Sequence, residues 1–129
     1  MSRNYLDFDT KKELWNSYLL KDGVTLILKI VLINVTLEGK DQLGNPQFGF
    51  QFNSVVGTRL PQEWKPLPKE EDIQIDKIND YWNEYTTNNG YLIKIKPIVS
   101  QITRTGVNDP MGNPIYITQA QPMVKTSKI

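Results

Sequence analysis

The sequence predicts an α+β fold in which one unit of helix, long strand, turn and strand occurs twice. A Trp-Asn-x-Tyr motif begins at Trp15 and again at Trp82, which is 67 positions later. A Gly-Asn-Pro motif begins at Gly44 and again at Gly112, which is 68 positions later because one residue is inserted. In each copy, a long segment rich in β-branched and aliphatic residues joins the two motifs, and such residues favour strands. This agreement in register indicates two copies of one structural unit.

A short helix is expected at the start of each copy. Asp9 or Thr10 can cap the first helix, and Glu13 is placed as the acid of a capping box if Thr10 is the cap. Turn residues ending in Gly23 and Gly90 follow, and glycine suits the left-handed conformation that ends many helices. Apolar residues of the second copy follow one another at mostly helical spacing: Ile75, Ile78, Tyr81, Trp82 and Tyr85.

The long strands are expected at 24–37 and 91–103. Apolar residues lie on one face in the first part of each segment and on the opposite face further along. The change falls near Lys29 and Lys96. A long strand whose buried face changes midway usually bends or carries a bulge, as at the corner of a barrel. Pro97 supports this prediction, because proline has no backbone N–H to donate to a neighbouring strand and is therefore confined to edge strands and β-bulges.

Two tight turns are expected to reverse the chain into return strands at 47–56 and 115–124. Asp41 and Asp109 precede glycine-bearing turns and could in principle offer oxygen ligands to a cation. A calcium loop needs several acidic or amide ligands at alternate positions, and neither loop has them. The pattern is therefore typical of hairpin turns, in which aspartate starts the turn and glycine adopts a positive φ.

The expected organisation is a single pseudo-symmetric domain over 1–129, with repeat 1 at about 8–56, a linker at about 57–74 and repeat 2 at about 75–124. An isolated hairpin is marginally stable in water, so the two hairpins need a common core. We expect the four main strands to pair about a pseudo-twofold axis into an antiparallel sheet or small β-barrel, with the two short helices beside it. The alternative is two tandem subdomains that complete their sheets by homo-oligomerisation.

Composition argues against several kinds of chemistry. The chain has no cysteine and no histidine, which removes thiolate nucleophiles, thiolate metal sites and the commonest general base. It also has no glycine-rich phosphate loop and no motif that sets two carboxylates across a cleft. We therefore expect no enzyme activity, no metal and no cofactor. The N-terminus lacks an apolar stretch of signal-peptide length, and the longest apolar run is too short for a bilayer, so a soluble cytoplasmic protein is expected.

The repeated tryptophans are one candidate for a binding site. With the asparagine and tyrosine of each motif they could line two equivalent pockets. The interpretation we favour is that the aromatic residues are buried against the sheet as part of the core and that the asparagines tie a loop by hydrogen bonds. The residues concerned are Trp15, Asn16 and Tyr18 in the first copy and Trp82, Asn83 and Tyr85 in the second.

The charge distribution bears on the two functions that we expect for this chain. The net charge of +1 gives no general argument for nucleic acid, although Lys94 and Arg104 of the second copy replace Ile27 and Leu37 of the first. We expect a non-enzymatic binding or assembly domain that contacts a protein partner or a second copy of the chain. The alternative is nucleic-acid binding through a basic β-face of the second repeat, because basic and aromatic residues on a sheet suit single strands. The residues expected to make this contact are Tyr91, Lys94, Lys96, Arg104, Tyr116 and Lys125.

Overall fold

The computed structural model describes residues 4–64 and 69–129, which form ten strands joined by turns. All pairings between the strands are antiparallel, and the strands make two sheets of five. In chain order the strands are β1 Tyr5–Leu6, β2 Phe8–Lys12, β3 Asn16–Leu20, β4 Thr25–Lys40, β5 Pro46–Arg59, β6 Glu71–Asp72, β7 Ile75–Asn79, β8 Asn83–Thr87, β9 Tyr91–Asn108 and β10 Pro114–Lys128.

Each sheet takes an edge strand from the other sequence copy. Sheet A contains β1, β3, β4, β5 and β7, and sheet B contains β2, β6, β8, β9 and β10. In sheet A, β7 of the second copy pairs with β3 of the first, and in sheet B, β2 of the first copy pairs with β8 of the second. The chain changes sheet five times between its successive strands, and two equivalent crossing segments, at 13–15 and at 80–82, lead from each exchanged strand to the next strand of the other sheet. The two copies are interlocked, unlike the tandem subdomains of the alternative prediction.

The two predicted helices are wrong, because the described residues contain no helix and the chain is all-β instead of α+β. The predicted cap residues Asp9 and Thr10 lie in β2 and pair with β8. The β-rich character of the prediction is confirmed. Within the described part of the chain, no helix could cross a membrane.

The physical reason for this error lies in β3 and β8. Every second residue of these strands is buried, which is the strand period. Several buried positions hold polar side chains, so the apolar alternation that marks a strand is absent from the sequence. The buried residues are Asn16, Tyr18 and Leu20 in β3 and Asn83, Tyr85 and Thr87 in β8.

The long strands β4 and β9 carry the predicted bulges. The register of β4 with β5 shifts at Ile33, and the register of β9 with β10 shifts at Ser100. Both bulges lie four residues beyond Lys29 and Lys96, near which the change of face was predicted. The extra residue of each bulge shifts the alternation of inward and outward side chains by one position. Val35 is therefore buried, like the even-numbered residues before the bulge.

The predicted linker at 57–74 is shorter in the structure. Its first residues belong to the end of β5, and β6 near its other end pairs with Thr103 and Arg104 of β9. In the first copy β1 pairs with β4 at the equivalent positions. The equivalent pairings of the two copies therefore begin earlier in the chain than the predicted repeats do. Residues 65–68 of the predicted linker lie outside the described residues.

The core consists of two clusters of buried apolar side chains, and each cluster draws on both copies. Tertiary packing therefore stabilises the two copies jointly, since neither has a complete core by itself. The first cluster contains Ile30, Leu32 and Val35 of β4 with Tyr85, Ile93 and Ile95 of the second copy. The second contains Tyr18, Leu20, Leu26 and Leu28 of the first copy with Ile102 of β9.

Candidate functional site

Two fully buried asparagines hold the segments that cross between the sheets. The side-chain oxygen of Asn16 accepts a hydrogen bond from the N–H of Tyr81 at 2.6 Å. The side-chain oxygen of Asn83 accepts one from the N–H of Leu14 at 2.8 Å, and its amide nitrogen donates to the carbonyl of Ile30 at 2.9 Å. The asparagines thus tie loops by hydrogen bonds, as predicted, and their side chains are fully engaged inside the protein.

Two buried tyrosines lie beside acidic residues of the opposite copy. Tyr85 donates a hydrogen bond to Oε2 of Glu13 at 2.7 Å, and burial together with this bond raises the pKa of Tyr85 above its ordinary value. Asp80 is the residue of the second copy equivalent to Glu13. Burial and then the charge of Asp80 raise the pKa of Tyr18 to about 12. The Tyr18 hydroxyl has no hydrogen-bond partner among the described residues.

The outer face of sheet A is mostly apolar. Lys29 Nζ lies 5.1 Å from the centre of the Trp15 ring and 3.9 Å from Oε1 of Glu13, which pairs its charge. Trp15 is 41% exposed, so its ring packs on the outside of the sheet and does not enter the core. The other residues of this face around Lys29 are uncharged: Ile27, Val31, Ile33 and Val55.

The outer face of sheet B is basic at the equivalent place. Lys96 and Lys125 lie 5.2 Å and 5.1 Å from the centre of the Trp82 ring. Lys96 is also 3.4 Å from Oδ2 of Asp80, and Lys94 stands directly opposite Lys125 in the ladder. Three of the six residues predicted to contact nucleic acid, the lysines, therefore share one face around an indole ring.

An ion cluster around a buried arginine occupies one end of sheet B, and the Glu71 side chain at its rim is 52% exposed. Arg104 is 2% exposed, and its guanidinium lies 3.1 Å from Oδ2 of Asp22 and 3.2 Å from Oε2 of Glu71. Its Nε donates to the carbonyl of Lys69 at 3.2 Å. Tyr116 donates to Oδ2 of Asp22 at 2.6 Å, and burial and this bond raise the pKa of Tyr116. Arg104 and Tyr116, both predicted to contact nucleic acid, therefore have their polar groups occupied inside the protein.

At the equivalent place around Leu37 the four corresponding residues are uncharged, although Glu38 and Lys40 also line the cleft there. A cleft of about 430 Å³ lies beside the ion cluster, and one of about 510 Å³ lies beside its neutral counterpart. Tyr91, the last of the predicted contact residues, lines this second cleft and packs edge-on against Phe48 at 5.3 Å. The six predicted residues therefore do not form one surface. The four positions equivalent to Arg104, Asp22, Glu71 and Tyr116 hold Leu37, Asn89, Asn4 and Phe48, and in each place the Asp22 or Asn89 position comes from the opposite copy.

Sequence reasoning missed the edge strand β5. Among the described strands β5 pairs only with β4, and no charged residue occurs in it from Pro46 to Thr58. Natural edge strands are usually protected by charges, proline or short length, and this strand has 14 residues. The uncharged run is visible in the sequence, but that β5 is an outermost strand is evident only from the tertiary structure.

Comparisons of the chain with family models, with curated proteins and with solved structures gave no match. Over the described ranges, no group of three or more carboxylates is placed to hold a metal ion. The surfaces available for an inference about function are thus the two outer faces and the outer edge of β5.

Proposed function

We propose that the chain is a non-enzymatic assembly domain that contacts another protein chain through the outer face of sheet A. The observation that carries this proposal is a patch of exposed apolar side chains on that face. Trp15 is 41%, Ile33 is 39% and Val55 is 47% exposed, and Ile27 and Val31 lie on the same face on either side of Lys29, whose charge is paired with Glu13. Apolar patches of this kind on a soluble protein mark sites of interaction.

The difference between the two outer faces supports this proposal. Ile27 and Gly57 of sheet A are replaced by Lys94 and Lys125 at the equivalent positions of sheet B. The two faces share the same ladder and a bulge at the same place, so the backbone accepts lysine at these positions. The fold therefore does not require an apolar outer face on sheet A. A partner that covers this face would account for its composition.

The experiment places one charge on each face. Val55→Lys introduces a lysine into the apolar patch, and Met123→Lys at the equivalent position of sheet B is the matched control. Solution mass measured by sedimentation over a range of concentrations is compared with the 14.9 kDa of one chain. Photo-crosslinking from positions 55 and 123, in cells that produce the protein, detects other protein partners.

The expected result is a contact, either self-association or a crosslinked partner, that survives Met123→Lys and is lost with Val55→Lys. A lysine at position 55 would stand opposite Lys29, whose counter-charge Glu13 is already engaged, so a partner would bury the added charge unpaired, which is costly. A chain that stays monomeric at every concentration and crosslinks equally from both positions would remove the proposal.

A second candidate function is binding of single-stranded nucleic acid by the outer face of sheet B. The cluster of Lys94, Lys96 and Lys125 around Trp82 supports it, because lysines attract phosphates and a base can stack on an indole ring. Two observations rank it second. Lys96 and Lys125 already lie over the ring, and Glu84 stands opposite Lys94 in the ladder.

The test of this second candidate is the binding of a fluorescent single-stranded oligonucleotide at low salt. Lys94→Glu should weaken binding, whereas Lys40→Glu, a matched charge change in the first copy, should have little effect. The affinity should also fall steeply as salt is added, since lysine–phosphate contacts release counterions. Equal binding by both variants, or no binding at low salt, would exclude this face as a nucleic-acid site.

We also propose a cytoplasmic location. The chain has no cysteine, and small secreted domains usually rely on disulfides for stability, so the composition favours a reducing compartment. Fractionation of producing cells, with the protein detected by antibody in the cytoplasmic or the exported fraction, decides the question.

A further inference from the structure

The registers of the β4–β5 and β9–β10 pairings show where the unpaired backbone groups of the outermost strands point. Pro97 of β9 faces Pro122 of β10, and since neither has an N–H, they cannot form a hydrogen-bonded pair. Ile30 and Ser54 hold the equivalent positions of β4 and β5. The carbonyl of Ile30 accepts a hydrogen bond from Asn83 of the other copy and so points away from β5. Ser54 therefore directs its own N–H and C=O to the outer edge of sheet A.

Alternation along the strand extends this edge. The register of β4 with β5 is unbroken from the pair Thr25–Arg59 to the pair Leu32–Phe52. In an antiparallel ladder every second residue has the same orientation, so a row of outward N–H and C=O groups runs along β5. The outward residues in this stretch are Phe52, Ser54, Val56 and Thr58.

These groups border a groove between β5 and β10, which we call the seam groove. A cavity of about 280 Å³ at its centre is lined by Leu28 and Ile30 of β4 and by residues 52–54 and 120–122. No charged side chain lines this cavity. A second cavity of about 360 Å³ lies beside residues 56–58 of β5, on the next part of the same edge, and Asp109 is the one charged residue of its lining.

We propose that the seam groove binds one extended, uncharged peptide segment of a partner protein as an additional strand on β5. A row of unpaired N–H and C=O groups on a sheet edge recognises another backbone in this way. The uncharged lining selects uncharged side chains, because an unpaired charge in such a groove would be costly. Alternate side chains of the bound strand point to the same side of the sheet as Leu28 and Ile30 and enter the cavity that these residues line.

The two walls of the groove are not equivalent, and this difference decides which wall the bound strand pairs with. Pro122 of β10 lacks the outward N–H that Ser54 of β5 presents at the matching position. The bound strand therefore pairs with β5, and one strand binds per molecule. Because Leu28 and Ile30 lie on the buried face of sheet A, this site is separate from the proposed contact on the outer face.

The experiment uses the full chain and a blocked peptide of alternating valine and threonine, long enough to span residues 52–58. Amide hydrogen exchange is measured by nuclear magnetic resonance with and without the peptide. The amides of Ser54 and Val56 should exchange quickly in the free protein and about tenfold or more slowly with saturating peptide, because they become hydrogen-bonded. A copy of the peptide with methylated backbone nitrogens should not bind.

A pair of variants tests the asymmetry of the walls. Ser54→Pro removes one outward donor and should weaken peptide binding about tenfold. Proline is tolerated at the equivalent position 122, and unchanged exchange of the core amides establishes that the variant is folded. Pro122→Ser is the matched control and should retain wild-type affinity.

Three outcomes would overturn the proposal: no protection of Ser54 and Val56, equal binding of the methylated peptide, or wild-type affinity in folded Ser54→Pro. Val55→Lys separates this proposal from the assembly function. Its side chain lies on the outer face, so it should leave peptide binding unchanged even where it abolishes assembly.

Discussion

The hydroxyl of Tyr85 donates to Oε2 of Glu13 at 2.7 Å, and this bond joins a strand of the second copy to a crossing segment of the first. The equivalent bond is missing on the other side of the molecule. Tyr18 is buried and lies close enough to Asp80 for its charge to raise the tyrosine pKa, yet the Tyr18 hydroxyl has no partner in the described chain. Aspartate is one methylene shorter than glutamate, which accounts for the gap.

Asp80→Glu should therefore stabilise the protein. The longer side chain supplies the acceptor that Tyr18 lacks, and we expect a gain of about 1 kcal/mol in the free energy of unfolding. Denaturant titration measures it. The reciprocal variant Glu13→Asp should destabilise by about 1–3 kcal/mol, because it leaves the buried Tyr85 hydroxyl without the carboxylate that accepts its hydrogen bond. Opposite signs for the two variants are required, and equal signs would contradict the explanation.

Two variants test the asparagines, Asn16→Ala and Asn83→Ala. Each should lower the free energy of unfolding of the protein by about 2–4 kcal/mol. Each change leaves a backbone N–H without its acceptor in a partly buried place, and each creates a small cavity. Thermal and denaturant unfolding measure the loss, and Asn53→Ala on the exposed part of β5 is the control. A loss as small as that of Asn53→Ala would show that the asparagines do not hold the crossing.

Arg104→Leu, which copies Leu37 of the first copy, should destabilise by about 3–5 kcal/mol. It leaves Asp22, whose side chain is 6% exposed, as a buried carboxylate without its cation. Combining it with Asp22→Asn, Glu71→Asn and Tyr116→Phe gives the ion cluster the four uncharged residues of the equivalent place around Leu37. This fourfold variant should recover most of the loss, since a complete neutral set is often as stable as a buried ion cluster. Comparable instability of the single and the fourfold variant would refute the equivalence of the two places.

Stability should fall steeply in alkaline solution. The pKa of Tyr18 is raised to about 12 and those of Tyr85 and Tyr116 are also raised, whereas an unfolded tyrosine ionises near 10. The unfolded state therefore releases protons above pH 10 that the folded state retains. The stability present below pH 10 is lost as pH rises towards 12, by about 1.4 kcal/mol per pH unit for each tyrosine.

Denaturant unfolding at a series of pH values checks this slope, and ultraviolet absorbance reports tyrosine ionisation. Tyr18→Phe should reduce the slope by about one third, because one of three tyrosines no longer contributes. An unchanged slope in this variant would show that Tyr18 ionises normally in the folded protein.

The hairpins were the most predictable part of the fold, because a tight turn is set by residues close in sequence. Leu43 and Asn45 each donate a backbone N–H to the side chain of Asp41, and the Asp109 turn repeats this pattern. Gly44 and Gly112 have φ values of 83° and 84°, as the predicted turns require. The bulges were predicted for the same reason, from a change in alternation along one strand.

The helices were predicted wrongly because local spacing was misleading. The helical spacing of apolar residues in the second copy, at Ile75, Ile78 and Tyr81, is coincidental. These residues lie on β7 and on the crossing segment after it, where no helix exists. Asn16 and Asn83 occupy fully buried positions that a strand pattern would assign to apolar residues. The backbone N–H groups that donate to their side-chain oxygens lie 65 and 69 positions away, so residues near them in the sequence do not indicate burial.

The sequence by itself determined which positions of the two copies are equivalent, where the chain turns, and where the copies differ in charge. These properties depend on short-range patterns, which similar residues impose alike in both copies. Only the tertiary structure decided that the copies exchange β2 and β7, that Arg104 is enclosed by Asp22 and Glu71, and that β5 is an uncovered edge. Each of these depends on which distant segments meet. That choice is made by the burial of a common core, to which both copies contribute and which neither pattern contains alone.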